Sequence, residues 1–207
     1  MPNAATVRIS VWSDYVCPFC YLELPVLQQV RDTFGEQVQI DWRAFELRPY
    51  PVPTLDPQGE YLRSTWERAV YPMAAQRGMR LRLPPMQPRS RRALEAAEFA
   101  RDAGRHEAMH TALFRAFFED GRDLDDLDVL LEAAVSVDLE PARLQAALEA
   151  GQYTAKVQAD RALAEQLGIR SVPSMLIGPA TGDPATGDRV VGSQPFEILL
   201  PVLQQHL

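Results

Sequence analysis

Two cysteines stand three residues apart, Cys17 and Cys20, and the 207-residue chain has no others. They frame Pro18 and Phe19 in the run Cys-Pro-Phe-Cys. Thiols at this spacing can close a disulfide or open one, exchanging two electrons with a partner through thiolate attack and a mixed disulfide. What surrounds the pair decides whether that chemistry is in play. Val7, Ile9 and Val11 alternate with Arg8 and Ser10, the period of a strand, and a polar break follows at Ser13-Asp14. After the cysteines the period changes: Tyr21, Leu24, Leu27, Val30 and Phe34 recur at threes and fours, the pattern of a helix. Pro18 suits the first helical position, where its missing N–H costs nothing, and so Cys17 becomes the N-cap. A thiol there faces the unpaired N–H groups and the positive end of the helix dipole, both of which favour thiolate. Cys20, in the first turn, is within reach of a mixed disulfide on Cys17. The placement predicts an exposed nucleophile at Cys17 and a buried resolving thiol at Cys20.

Other readings of the pair are weaker. A four-coordinate zinc site needs further ligands; there is no third cysteine, and His106 and His110 would have to come close in space. That histidine pair, at i and i+4, has a spacing that could hold a metal but lacks an acidic partner of the zincin type, so an exposed helix face is expected. Two inert core thiols would fit a mid-helix position better than a strand-to-helix junction. The net charge of -7 argues against a nucleic-acid partner. No apolar run approaches membrane-spanning length. The first ten residues carry neither a charged n-region nor an apolar h-region, so no signal peptide is expected. The reading is cytoplasmic, where a cysteine pair is more often catalytic or redox-sensing than a structural staple.

Along the chain, Gly35 ends the first helix, and Val38, Ile40, Trp42 and Ala44 alternate as a second strand, completing a βαβ unit. Pro49, Pro51, Pro53 and Pro57 then impose an extended boundary. From about Glu60 to Gly151 the periodicity is helical throughout: a first helix around Trp66 disturbed by Pro72, then further helices ended by Gly104 and Gly121 or opened by Pro141. Trp66, Met73, Met109 and Phe117 either build that segment's core or line a cleft. Another helix runs to Leu167. Pro173 then precedes the apolar run Met175 to Ile177, either as the first residue of a strand or in a cis turn; from local sequence, trans is the default. A loop repeating Ala-Thr-Gly-Asp, a short strand at Arg189–Gly192 and a terminal helix opened by Pro195 at its first position complete the order. The expected fold is α/β: residues 1–50 and 152–207 form a discontinuous unit of order β-α-β … α-β-β-α, and 51–151 form a helical insertion.

This layout resembles the DsbA-like thioredoxin family, and within it the FrnE-like dithiol–disulfide isomerases. The resemblance is carried by Trp12 to Leu22 around the cysteines, by Phe45-Glu46-Leu47-Arg48-Pro49, by His110 to Phe118, and by Gly168 to Ser174. It implies that Cys17 and Cys20 exchange disulfides with protein or peptide substrates, and that Pro173 is a cis proline beside them. Val172 would then offer backbone groups to an extended peptide, with Pro18 and Phe19 also assigned to substrate contact. Many thioredoxin-fold enzymes carry a buried acid six residues before the first cysteine; Val11 stands there. Asp14 and Glu46 are the acids expected to assist proton transfer from Cys20, against the alternative that Asp14 caps a turn and Glu46 is a solvated loop acid. No cofactor is implied beyond the redox-active pair, with glutathione a possible redox partner. Glutathione-dependent relatives, the kappa transferases and hydroxychromene-carboxylate isomerases, typically place serine where Cys17 stands. A non-enzymatic thiol sensor is the third reading.

Overall fold

The computed structural model describes residues 6–207; residues 1–5, half of the stretch without a leader pattern, lie outside the described residues. The alternating run forms β1 (Val7–Ser13), and the cysteines follow at the start of α1 (Pro18–Phe34). β2 (Val38–Ala44) returns parallel to β1, with Val7 opposite Val38 and Ser13 opposite Ala44. β3 (Ser174–Pro179) lies antiparallel on the other side of β1, and β4 (Asp188–Val191) closes the sheet, in the order β2-β1-β3-β4.

Between β2 and β3 the described chain is helical: α2 (Glu60–Thr65), α3 (Tyr71–Gln76), α4 (Arg91–Asp102), α5 (His106–Phe118), α6 (Leu127–Ser136), α7 (Pro141–Glu149) and α8 (Thr154–Gln166). A wide π turn at Trp66–Val70 joins α2 to α3. It accounts for the disturbance expected at Pro72, since a proline withholds its N–H and clashes with the carbonyl four residues back. The last helix, α9 (Phe196–Gln204), has Pro195 as its N-cap rather than at the first helical position.

The two faces of the sheet carry different loads. Val7, Ile9, Val11, Met175 and Ile177 pack with Val26, Leu27 and Val30 of α1 and Leu199 and Leu203 of α9. The opposite side joins Trp12, Ala44 and Leu176 to the helical segment in one continuous core that also contains both cysteines. Trp66, Met109 and Phe117 are buried in that core, and Met73 packs partly buried against it. Asp160 of α8 fixes the join: its carboxylate accepts from the Ala44 backbone N–H at 3.2 Å and from Arg43, and its carbonyl accepts from the Trp12 indole.

His110, Phe114 and Phe118 recur at i, i+4 and i+8 on α5, which puts them on one face. Phe114 stacks on Tyr21 of α1 at 5.2 Å and meets Tyr15 at 4.9 Å, so a helical-segment side chain is wedged against both flanks of the cysteines. It is fully buried. Truncation of Phe114 to alanine should cost about 3–5 kcal/mol, the range for removing a buried phenyl ring. Urea unfolding followed by circular dichroism gives the value, and a loss under about 1 kcal/mol would mean that the ring does not hold these elements together.

Candidate redox site at the strand-to-helix junction

The sequence between β1 and α1 folds as a tight corner. The Cys17 N–H donates to the Asp14 carbonyl at 3.1 Å, and Pro18 occupies the first helical turn with Cys17 as N-cap. The Cys17 side chain makes no capping hydrogen bond to the helix N–H groups, contrary to expectation. Its thiol turns instead to the Val172 carbonyl, as donor, at 3.4 Å. Nor is it exposed: Cys17 keeps 6 % of its surface and Cys20 1 %. The Val172–Pro173 turn lies over it, and that peptide bond is cis.

Both thiols are free, and both lie in the same buried core at the start of α1. Burial pushes the Cys20 thiol well above its ordinary range, and the hydrogen bond and charge of its neighbour Cys17 push the same way. The Asp14 backbone N–H and the Ser13 side chain oppose this shift. Pro18 and Phe19, between the cysteines, are half-buried, with Phe19 packed against the shared core. Val172 and Pro173 are buried, and the Pro173 carbonyl accepts from the Gly192 N–H at 2.8 Å.

The two acids differ in their surroundings. Asp14 is fully buried; one carboxyl oxygen accepts from the Leu47 N–H at 2.7 Å and the other from Val16 at 3.3 Å. Burial raises its carboxyl to about 6, while the Ser90 hydroxyl and the Leu47 and Val16 N–H groups pull it down. Glu46 is not a solvated loop acid: it is buried and accepts from Arg91 Nε at 2.7 Å. Arg91 opens α4, so this pair ties the chain beyond β2 to the helical segment.

The histidines are not on an open helix face. His110 is buried, its Nδ1 2.7 Å from the Tyr15 hydroxyl and its ring 4.1 Å from that of Trp42. Only His106 is partly exposed, and its Nε2 sits 3.0 Å from Arg101. Burial holds both imidazoles below the ordinary histidine value, His106 at about 4. Among the described residues no three His, Cys, Asp or Glu side chains group as a metal site. Sequence reasoning missed Ser90 and Asp160, buried polar residues whose partners lie far away in the chain.

The Asp14 carboxyl gives a pH signature. Its value rises from 3.8 to about 6 on folding, so between these values the folded chain holds a proton that the unfolded chain has lost. Stability therefore falls as pH rises through that window, by about 3 kcal/mol for a displacement of this size. Asp14→Asn cannot ionise. Urea unfolding at about pH 4 and about pH 7 should show the wild type losing about 2–3 kcal/mol relative to the variant at the higher pH. A difference that does not change with pH would mean an Asp14 carboxyl no easier to protonate than in the unfolded chain.

The model of the DSBA-like thioredoxin domain matches residues 8–204. Among curated proteins, the chain is 33% identical over 189 residues to "Uncharacterized protein YwbO" of Bacillus subtilis (strain 168), covering 89% of this chain and 94% of that one. A solved "probable DsbA oxidoreductase" from Streptomyces coelicolor shares 28% identity with a TM-score of 0.77, covering 97% of this chain and 89% of the other. A 2-hydroxychromene-2-carboxylate isomerase superposes with a TM-score of 0.78 at 16% identity, over 96% and 95% of the two chains, a likeness of fold. With a cysteine pair at the junction of β1 and α1 and a matching model along almost its whole length, the chain belongs to the DsbA-like thioredoxin family.

Proposed function

We propose that the protein is a thiol–disulfide oxidoreductase or isomerase that cycles Cys17 and Cys20 between dithiol and disulfide against protein or peptide substrates. The observation that carries this reading is the placing of both free thiols at the start of α1, with the Val172 carbonyl on Cys17. In the reducing direction, Cys17 sulfur attacks a substrate disulfide, one substrate thiolate leaves, and a Cys17–substrate mixed disulfide forms. Cys20 then attacks the Cys17 sulfur, the mixed disulfide breaks, and the second substrate thiolate leaves with the pair oxidised. The reverse sequence oxidises a substrate dithiol. Cys20 is suited to the second role because burial keeps it protonated until the mixed disulfide is in place.

The cis turn contributes the walls of the site. The Val172 carbonyl engages Cys17 when its thiol is protonated and no longer does so once it is ionised, which leaves that acceptor for a backbone donor of an extended substrate. Pro18 and Phe19 form the adjoining surface, and the helical segment 51–151 flanks it. The two electrons reside in the cysteine pair itself, with glutathione as the proposed small thiol that resets it. Keeping both thiols favours exchange over the glutathione-dependent isomerase chemistry of relatives with serine at the first position. A FrnE-like isomerase working in the cytoplasm is the form of this activity we favour, since a cysteine pair kept there is more often redox-active than structural.

Both thiols are buried, so the contrast between them rests on residual access and on the raised Cys20 thiol. Iodoacetamide on the reduced protein near neutral pH should label Cys17 about tenfold faster than Cys20 or more. Cys20→Ser should accumulate stable mixed disulfides on Cys17, and insulin reduction should fall about 100-fold or more in either single variant. Equal labelling of the two thiols would reverse the assignment of roles, and full insulin turnover by Cys17→Ser would rule out the reaction.

A further inference from the structure

Beside the turn that covers Cys17 lies an open hollow of about 290 Å³ that the exchange steps above leave unused. One wall is the chain just past β2, with Phe45 and Leu47. The other is the approach to the Val172–Pro173 turn, with Ile169 and Arg170. Arg161 and Glu165 of α8 close its end. Both walls are tied to the corner that holds the sulfurs. The Phe45 N–H donates to the Ser13 carbonyl at 3.0 Å, and the Leu47 N–H donates to the Asp14 carboxyl at 2.7 Å. Arg170 stands two residues before Val172, whose carbonyl meets the Cys17 thiol at 3.4 Å. The hollow is therefore held in a fixed place relative to the reacting sulfur.

Its floor is apolar and its charges do not balance. Phe45 and Ile169 are buried and Leu47 is half-buried. Arg161 lies over the Phe45 ring at 4.3 Å, donates to the Glu46 carbonyl, and donates from Nε to Glu165 at 2.9 Å. The one acid of the hollow is thus already met. Arg170 is exposed, and among the described residues no carboxylate lies within ion-pair reach of it. Arg48, the residue after Leu47, likewise has no carboxylate partner among them, since Arg91 takes Glu46. Two unpaired guanidiniums therefore flank an apolar floor in a chain whose net charge is -7. A guanidinium in this state can receive a carboxylate through two parallel N–H groups without first giving up another partner.

We propose that this hollow receives the residues flanking a substrate's cysteine, an apolar side chain on its floor and a carboxylate on Arg170, and so selects protein disulfides set in acidic sequence. The inference rests on the dithiol exchange proposed above. A substrate strand whose backbone N–H meets the Val172 carbonyl continues past residues 171 and 170 at about 3.3 Å per residue. A side chain two positions from the reacting cysteine then arrives at Arg170. The backbone contact holds any extended sequence, and the hollow adds a choice among side chains. A lysine at that position meets only like charge, from Arg170 and from Arg48 on the facing wall, so basic flanks are rejected as acidic ones are taken.

Two fluorescent peptides test this, each with one cysteine and a leucine beside it, differing only in glutamate or lysine two residues to either side of the cysteine. Oxidised to disulfide-linked homodimers they quench themselves, and attack by the full-length reduced protein restores the fluorescence. Dividing each rate by that of dithiothreitol with the same dimer removes the effect of neighbouring charge on the disulfide itself. Wild type should open the glutamate dimer about fivefold faster than the lysine dimer on this corrected scale, the size of a favourable exposed ion pair. Arg170→Glu should reverse the order, Arg170→Lys should keep it, and about 0.5 M salt should shrink it. Equal corrected rates in wild type, or a glutamate preference that survives Arg170→Glu, would overturn the acidic flank and leave the exchange reaction standing. A wild type that opens neither dimer would overturn the dithiol reading itself.

Discussion

The corner that carries the cysteines depends on burying one carboxyl. Asp14 can enter the interior only if its oxygens are met by donors, because an unpaired buried carboxyl is costly. Those donors come from three separate pieces of chain: Val16 in the corner, Leu47 just after β2, and Ser90 just before α4. Satisfying Asp14 therefore fixes where the chain leaves β2 and where the helical segment re-enters beside α1. Glu46 with Arg91 repeats the same join a residue away. The sulfur chemistry is placed by these polar contacts as much as by the sheet.

The helical segment is part of the site for a related reason. The aromatic face of α5 meets Tyr15 and Tyr21, on either side of the cysteines, and Asp160 of α8 seizes the ends of β1 and β2. A smaller clamp lies on the opposite side of α1, where Arg77 donates to Ser193 at 2.6 Å and Ser193 donates to Glu23. That clamp links the end of α3 to the approach to α9. Movement of any helix around the pair must therefore break a buried polar contact, which favours a pre-formed cleft over one assembled on binding.

Much of this was legible in the sequence where periodicity changes sharply. The switch from alternation in Val7–Val11 to threes and fours after Tyr21 marks the junction of strand and helix, with Pro18 marking the first helical turn. What could not be read was which polar residues are inside. His106 and His110 at i and i+4 look the same on an open face as against Trp42 and Tyr15, since those partners lie far away in sequence. Glu46 reads as a loop acid until Arg91 is brought beside it. The orientation of the Cys17 thiol is of the same kind: helix geometry alone aims it at the N–H groups, and the carbonyl that diverts it arrives from residue 172.

The sheet order also constrains how the protein emerges from the ribosome. β1 is central, and its second neighbour is β3, with Trp12 opposite Ser174. The cysteines are therefore synthesised near the beginning, and the strand and turn that cover them come near the end. Through most of elongation the nascent pair has one flank of its sheet and none of the Val172–Pro173 cover. Contacts this distant in sequence form late and carry a large loop-closure cost. The cover over the sulfurs is therefore among the last parts of this fold to form.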